Sequence, residues 1–365
     1  PWGILISTYE FFLLTSAGIV VGIVALSVVF GVTRFDRLLT RSVLLALATL
    51  AAGLFTIVIG LGRPERPMVH AVINANPSSP IWWVIMFAGT FGAVLAVLFV
   101  LVQTDWADRL LGDRIETAGL TRLVGIAGFG VGLAVMVAAG LIFGTAQTRP
   151  YYGGALAPLY FVLTGIMSGV AAVGAVVAAE HRLTSPEQPE ELSVLLTDSV
   201  GKLLGLLAGA ALLIAVVKAI YGLTATTEST SLAYETMLLG SFAPIYWGVG
   251  ILLGLVVPIV LMSVRRTRTP TGVLAASVFV LMGLFVTRFE FVVGGQVVAL
   301  TADPGHQYPI VSYIPSGVEI ALVVFALAIC AFVYTAGRVL FDPDNPGASP
   351  ETQTAVTDGG PPNDH

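Results

Sequence analysis

Residues 4–30 read ILISTYEFFLLTSAGIVVGIVALSVVF, a stretch of 27 residues with a single charged side chain, Glu10. Crossing the hydrocarbon core of a bilayer takes about 20 apolar residues in a helix. The stretch is long enough and too apolar to face water, so it reads as a membrane-spanning helix. Eight further runs share this character: 42–61, 81–103, 121–144, 156–179, 200–222, 239–263, 271–293 and 315–337. The eighth is interrupted near its end by Arg288 and Glu290. None alternates apolar and polar residues as a barrel strand would. The expected fold class is an all-α polytopic membrane protein with about nine transmembrane helices.

Composition supports that reading. Hydrophobic residues make up 56% of the 365 and charged residues 11%, and mean hydropathy is +0.92. Soluble domains carry roughly 25% charge, so this chain lacks the polar residues to cover a water-facing surface. Forty glycines fit membrane helices that approach each other closely. The one cysteine, Cys330, lies inside an apolar run, which leaves no disulfide framework and no cysteine-ligated metal or iron–sulfur site. A net charge of -5 argues against a nucleic-acid partner. No basic segment and cleavage site precede the first run, so a cleavable signal peptide is not expected.

Loop charge sets the expected orientation. One set of connections holds Arg34, Arg37, Arg41, Arg109, Arg114, Arg122, Arg182, Lys202, Arg265, Arg266, Arg268 and Arg338; the other holds Arg63, Arg66, Arg149 and Arg288. Basic residues favour the cytoplasmic side, so twelve against four places the N-terminus outside and the C-terminus in the cytoplasm. Residues 1–340 then form one membrane domain. Residues 341–365, rich in Asp, Pro, Gly and Thr, form a disordered acidic tail.

The polar residues that matter concentrate on the outer side. Glu10 lies about 9 Å into the first helix at 1.5 Å per residue, beside Tyr9. It is either a hydrated carboxylate near the interface or a proton acceptor for a redox-active ligand. The second connection carries Arg63, Glu65, Arg66, His70 and Asn74, stiffened by Pro64, Pro67, Pro77 and Pro80. Trp82 and Trp83 suit the interfacial aromatic belt or a flat ring pocket. Arg288 and Glu290, two apart, cannot face each other on a helix, so each should pair with another segment. Glu319 either complements the dipole of the ninth helix or reaches across to Arg288 or Arg63. Lys218 and Tyr221 are expected to snorkel to the interface. The histidines fall at 70, 181, 306 and 365, none in a helix interior where a bis-His haem would need them.

Five stretches taken together resemble the NrfD/PsrC family, the membrane subunits of polysulfide-reductase-like respiratory oxidoreductases. They are GRPERP at 62–67 with NPSSPIWW at 76–83, AQTRPYY through APLYF at 146–161, RFEFVVGGQ at 288–296 and YIPSGVE at 313–319. The resemblance implies two four-helix bundles and no haem or iron–sulfur cluster in this chain. It also implies a bound quinol, menaquinol or ubiquinol, near the outer face. Electrons would pass to a docked four-cluster ferredoxin-like iron–sulfur subunit and on to a molybdopterin catalytic subunit. Nine helices exceed the eight of smaller members. Where family members carry Asn and His in helix one, this chain has Tyr9 and Glu10.

The expected site therefore lies among helices one to four. Tyr9, His70 or Asn74 would hydrogen-bond a quinol oxygen, with Trp82 and Tyr151 lining the ring. Glu10 or Glu65 would accept a proton. Arg63, Arg66, Arg288, Glu290 and Glu319 would form structural ion pairs or dock the partner. The competing readings are a proton or ion transporter, which would favour broken helices at the membrane midplane, and a passive membrane anchor. From the charge count, a reporter that fluoresces only in the cytoplasm should light up when fused after Phe341. The same reporter inserted at Asn76 should stay dark.

Overall fold

The computed structural model describes residues 2–103, 117–146, 149–152, 154–183, 190–298 and 313–341. The expected tail, the loop arginines Arg109 and Arg114, and His306 lie outside them. Among the described residues there are nine helices long and apolar enough to cross a membrane, and the fold is all-α. They are α1 (Ile4–Val28), α2 (Thr33–Gly60), α4 (Pro80–Val102), α5 (Ala118–Gly144), α6 (Leu156–Arg182), α7 (Glu190–Leu223), α9 (Ile245–Ser263), α10 (Pro270–Val297) and α11 (Gly317–Phe341). Two short surface helices join them, α3 (Glu65–Ile73) and α8 (Glu228–Leu238). The apolar runs therefore locate every span, including the eighth, despite its two charged residues.

Helices α1, α2, α4 and α5 pack in sequence around one four-helix bundle, and α6, α7, α9 and α10 around a second. The bundles meet where α1 lies against α6 and α10, and where α5 lies against α6. The ninth span, α11, sits outside both, against α2. Consequently α1 is the most buried span and α11 the least.

Lipid is as apolar as leucine, so helix association in a membrane relies on close packing and on polar contacts between helices. The α1–α6 seam uses glycine for this. A Cβ on Gly18 would come within 1.8 Å of the Gly165 carbonyl oxygen, and one on Gly169 within 2.1 Å of Gly18. Gly254 and Gly283 bring α9 and α10 together in the same manner. Several buried threonine hydroxyls bond within their own helix: Thr15 donates to the Phe11 carbonyl at 2.7 Å and Thr56 to that of Gly53 at 2.8 Å. Ser16 crosses to the Ala46 carbonyl on α2 at 2.7 Å.

The two ends of the molecule are tied differently. At the N-terminal end, Gln296 exchanges two hydrogen bonds of 2.9 Å with the Trp2 backbone. Nearby, the Ile4 amide donates to the Tyr313 hydroxyl at 2.9 Å. At the opposite end Glu180 of α6 gathers Arg338 and Tyr334 of α11 and lies 3.6 Å from Arg41 of α2. This ionic knot ties the peripheral ninth helix to α6 of the second bundle and draws in α2 of the first.

Introducing a side chain at the seam should separate the bundles. Gly169→Leu is expected to abolish a cooperative melt in detergent, or lower its midpoint sharply, because overpacking costs about 1–3 kcal/mol or more. Gly209→Ala, with nothing within 4 Å of the new Cβ, should melt like the parent.

Candidate functional site

Two charged side chains decide where the chemistry can sit. Arg288 and Glu290 both lie on α10, are buried (2% and 6% exposed), and sit where the helix widens into a π-helical turn over Glu290–Gly294. Such turns occur often at functional sites because they redirect side chains. Arg288 faces α6 and Glu290 faces α7.

On the Arg288 side, Nη2 donates to Thr164 Oγ1 of α6 at 2.6 Å, and the same Thr164 hydroxyl donates to the Tyr160 carbonyl at 2.6 Å. The guanidinium lies 4.2 Å from the centroid of the Phe161 ring. Glu10 of α1, 3% exposed, is the opposite charge that Arg288 feels across the bundle interface. The pair does not close into a salt bridge. Glu10 Oε2 and Arg288 Nη1 are each buried without a hydrogen-bond partner. A buried polar atom left unpaired costs about 1–3 kcal/mol, and more when charged, so each of these two atoms is open to a further polar partner.

On the Glu290 side, Lys218 of α7 lies 3.1 Å from Oε1, and the Tyr151 hydroxyl donates to the same oxygen. The ammonium also sits over the faces of Phe291 at 3.8 Å and Tyr151 at 4.0 Å, with Tyr234 at 6.0 Å. Ring faces attract cations, so the aromatic box offsets part of the cost of burying Lys218. This corrects the sequence expectation: Lys218 does not snorkel with the exposed Tyr221 but turns into the protein. The signal was present in the sequence. Lys218 falls on the stripe Ala208, Ala211, Ala215, Ala219 and Gly222, whose small residues are the buried face of α7.

Glycine makes room for the aromatic box. A Cβ on Gly222 would lie 1.9 Å from the Tyr234 ring, and one on Gly295 would lie 1.8 Å from that of Tyr152. The Gly-Gly-Gln sequence at 294–296 and the Tyr-Tyr pair at 151–152 are therefore two halves of one contact. Burial holds the Tyr234 phenol above its ordinary range. Burial likewise pushes Tyr152 up to about 12, with Arg149 pulling the other way. Both stay neutral hydrogen-bonding groups at physiological pH.

The remaining expected site residues are placed elsewhere. Tyr9 is half-buried beside Glu10 on α1. Arg63, Glu65, Arg66, His70 and Asn74 are exposed on and around α3, which packs on α4. The structure thus does not bring Glu65, His70 or Asn74 to Glu10. Asn74 Nδ2 instead meets His70 Nδ1 at 3.0 Å. Trp82 donates to the Ala71 carbonyl at 2.7 Å and so fixes α3 to α4. Glu319 caps its own helix, accepting from the Ser316 amide at 2.8 Å and from the Tyr313 hydroxyl at 2.9 Å, and it reaches neither Arg288 nor Arg63. Tyr160 lies in the quoted APLYF stretch but was given no role from the sequence, and Thr164 and Tyr234 were not singled out. Among the described residues, no group of three His, Cys, Asp or Glu side chains converges to hold a metal.

The fold and this site define a multi-pass membrane protein with two buried ionic clusters back to back on one helix, close to one end of the bundle. Residues 1–299 match the model of the polysulphide reductase NrfD family, and the chain belongs to that family. Among curated proteins it is similar to a subunit of the selenate reductase of Mesobacillus selenatarsenatis, with 24% identity over 81% of this chain and 74% of that protein. It is also similar to the Hdr-like menaquinol oxidoreductase integral membrane subunit of Archaeoglobus fulgidus, with 26% identity over 93% of this chain and 84% of that protein.

Removing one partner of a buried ion pair is expected to cost about 3–5 kcal/mol, since it strands the other charge. Lys218→Met alone and Glu290→Gln alone should each melt well below the parent. The double variant should recover most of the loss, a non-additivity that a double-mutant cycle reads directly.

Proposed function

We propose that this chain is the quinol-binding membrane subunit of a respiratory oxidoreductase complex in the cytoplasmic membrane, with its N-terminal end outside. The observation that carries this reading is the Glu10–Arg288 pair, a buried carboxylate and guanidinium near that end, each with an unpartnered polar atom. Family membership supports it, as do the menaquinol and reductase subunits among its relatives. Menaquinol is the quinol we favour.

A quinol gives up two electrons and two protons on oxidation. Glu10 Oε2 accepts the two protons in turn in this reading, handing the first to the outer face before it takes the second. Arg288 is positioned by Thr164 through Nη2, which leaves Nη1 to hold a ligand oxygen or to balance the Glu10 charge. Tyr9, next along α1, shapes the approach. Electrons leave to an iron–sulfur subunit of the four-cluster ferredoxin type, docked on the N-terminal end and followed by a molybdopterin catalytic subunit. The exposed charges of α3, Arg63, Glu65, Arg66 and His70, supply a docking surface for it. In this assignment Glu65 and His70 belong to the partner's surface and not to the quinol, and Asn74 positions His70.

A proton transporter and a passive anchor are separated from this reading by one substitution. Glu10→Gln should lower menaquinol-driven reduction of the partner's clusters by about 10²-fold or more, the usual scale of general acid–base catalysis. Assembly of the complex should be unchanged. Undiminished quinol activity would remove Glu10 as proton acceptor, and a complex that purifies and works without quinone would favour the anchor.

A further inference from the structure

On the other side of α10 from Glu10 lies a cavity of about 270 Å³, framed by the start of α6, the last turns of α7, and α8. Its walls are aromatic: Tyr152, Tyr160, Tyr221, Tyr234 and Phe291. Lys218 lies on its floor, while Leu156 and Tyr221 at its rim are exposed on the outside of the bundle. The mouth therefore opens sideways, where a molecule dissolved in the bilayer can enter. Beyond the rim, α7 exposes Leu213, Val217 and Ile220, an apolar track along which a hydrocarbon chain can lie.

The polar side chains lining this space are the Lys218 ammonium, which only donates, and tyrosine hydroxyls, which donate or accept. Lys218 carries three N–H groups, of which Glu290 takes one. The Tyr234 hydroxyl reaches the Tyr151 carbonyl only at 3.4 Å, and the Tyr152 hydroxyl reaches that of Val292 only at 3.5 Å, so both are weakly committed. The carboxylate nearest the cavity floor, Glu290, is already engaged by Lys218 and Tyr151. A fitting ligand thus brings an acceptor for Lys218, is flat enough to stack on rings, and carries no positive charge.

We infer that this cavity is a second ring-binding site, separate from Glu10, that takes the oxidised head group of a quinone with its chain left in the lipid. The assignment rests on the proposed quinol function for the identity of the ring. A quinone carbonyl is a stronger acceptor for the Lys218 ammonium than a quinol hydroxyl, whose own proton would have to turn to a phenol oxygen. Pockets for drug-sized ligands start at about 300 Å³, so the space suits a single fused ring and excludes the prenyl chain. An anionic lipid head group could meet Lys218 but would leave the aromatic walls unused.

Equilibrium binding of 2-methyl-1,4-naphthoquinone to the purified complex in phosphatidylcholine nanodiscs tests this. The parent should bind two equivalents. Ile214→Trp, and independently Leu156→Trp, should each close the mouth and leave one, with the melting midpoint showing that the protein stays folded. Glu10→Gln should retain the equivalent that these variants lose, and the reduced naphthoquinol should compete for it at least tenfold less well. A single equivalent in the parent, untouched by either tryptophan, would overturn the second site while leaving the proposed function standing. So would two equivalents that both survive, or displacement of the ring by added phosphatidylglycerol. No ring binding in the parent at all would defeat the quinol reading itself.

Discussion

The arrangement of the helices depends on one constraint: a charge taken into an apolar interior must find an opposite charge or a dense set of hydrogen bonds. Helix α10 imposes it twice. Arg288 and Glu290, two residues apart, project to different sides, so no single neighbour can serve both. Helices α1 and α6 must converge on one side to offer Glu10 and Thr164. Helix α7 must come up on the other to offer Lys218. The contact between the bundles runs through α6 and this helix, and the two ionic clusters share the last turns of α10.

Packing then makes that convergence possible. The Gly18–Gly169 contact lets α1 and α6 approach to backbone distance, which brings Glu10 within reach of Arg288's field. Glycines at 222, 294 and 295 leave dents that the tyrosines at 151, 152 and 234 fill. The result is an aromatic lining around Lys218, whose cation–π contacts supplement a single carboxylate. The opposite end solves the same problem with water nearby, where Glu180 gathers the cations of two other helices.

The two clusters are chemically unlike, and that difference bears on function. The Lys218–Glu290 pair is closed, with the carboxylate engaged twice. The Glu10–Arg288 pair is open, with an unpartnered atom on each side. An open pair can exchange hydrogen bonds and protons with a third molecule. A closed one serves first to hold helices together and to orient the donors around it.

Much of this was legible in the sequence. Nine apolar runs located the nine spans found among the described residues, because lipid requires each crossing helix to carry its own apolar surface and satisfy its own backbone. The charges near one end were visible as well, since ionisable residues are rare enough in such runs to stand out. That Arg288 and Glu290 must look in different directions followed from helical periodicity. What the sequence did not decide was who meets whom. Glu65, His70 and Asn74 looked like neighbours of Glu10 because they share an end of the molecule, but α3 lies on α4 and keeps them exposed. Lys218 looked interfacial because it lies near a helix end; the small-residue stripe sets it on the packed face of α7, but only the packing shows that Glu290 and Tyr151 meet it there. Hydropathy fixes depth in the bilayer, because it depends on one helix at a time. Partnership depends on which faces of several helices are pressed together, and only the tertiary packing settles that.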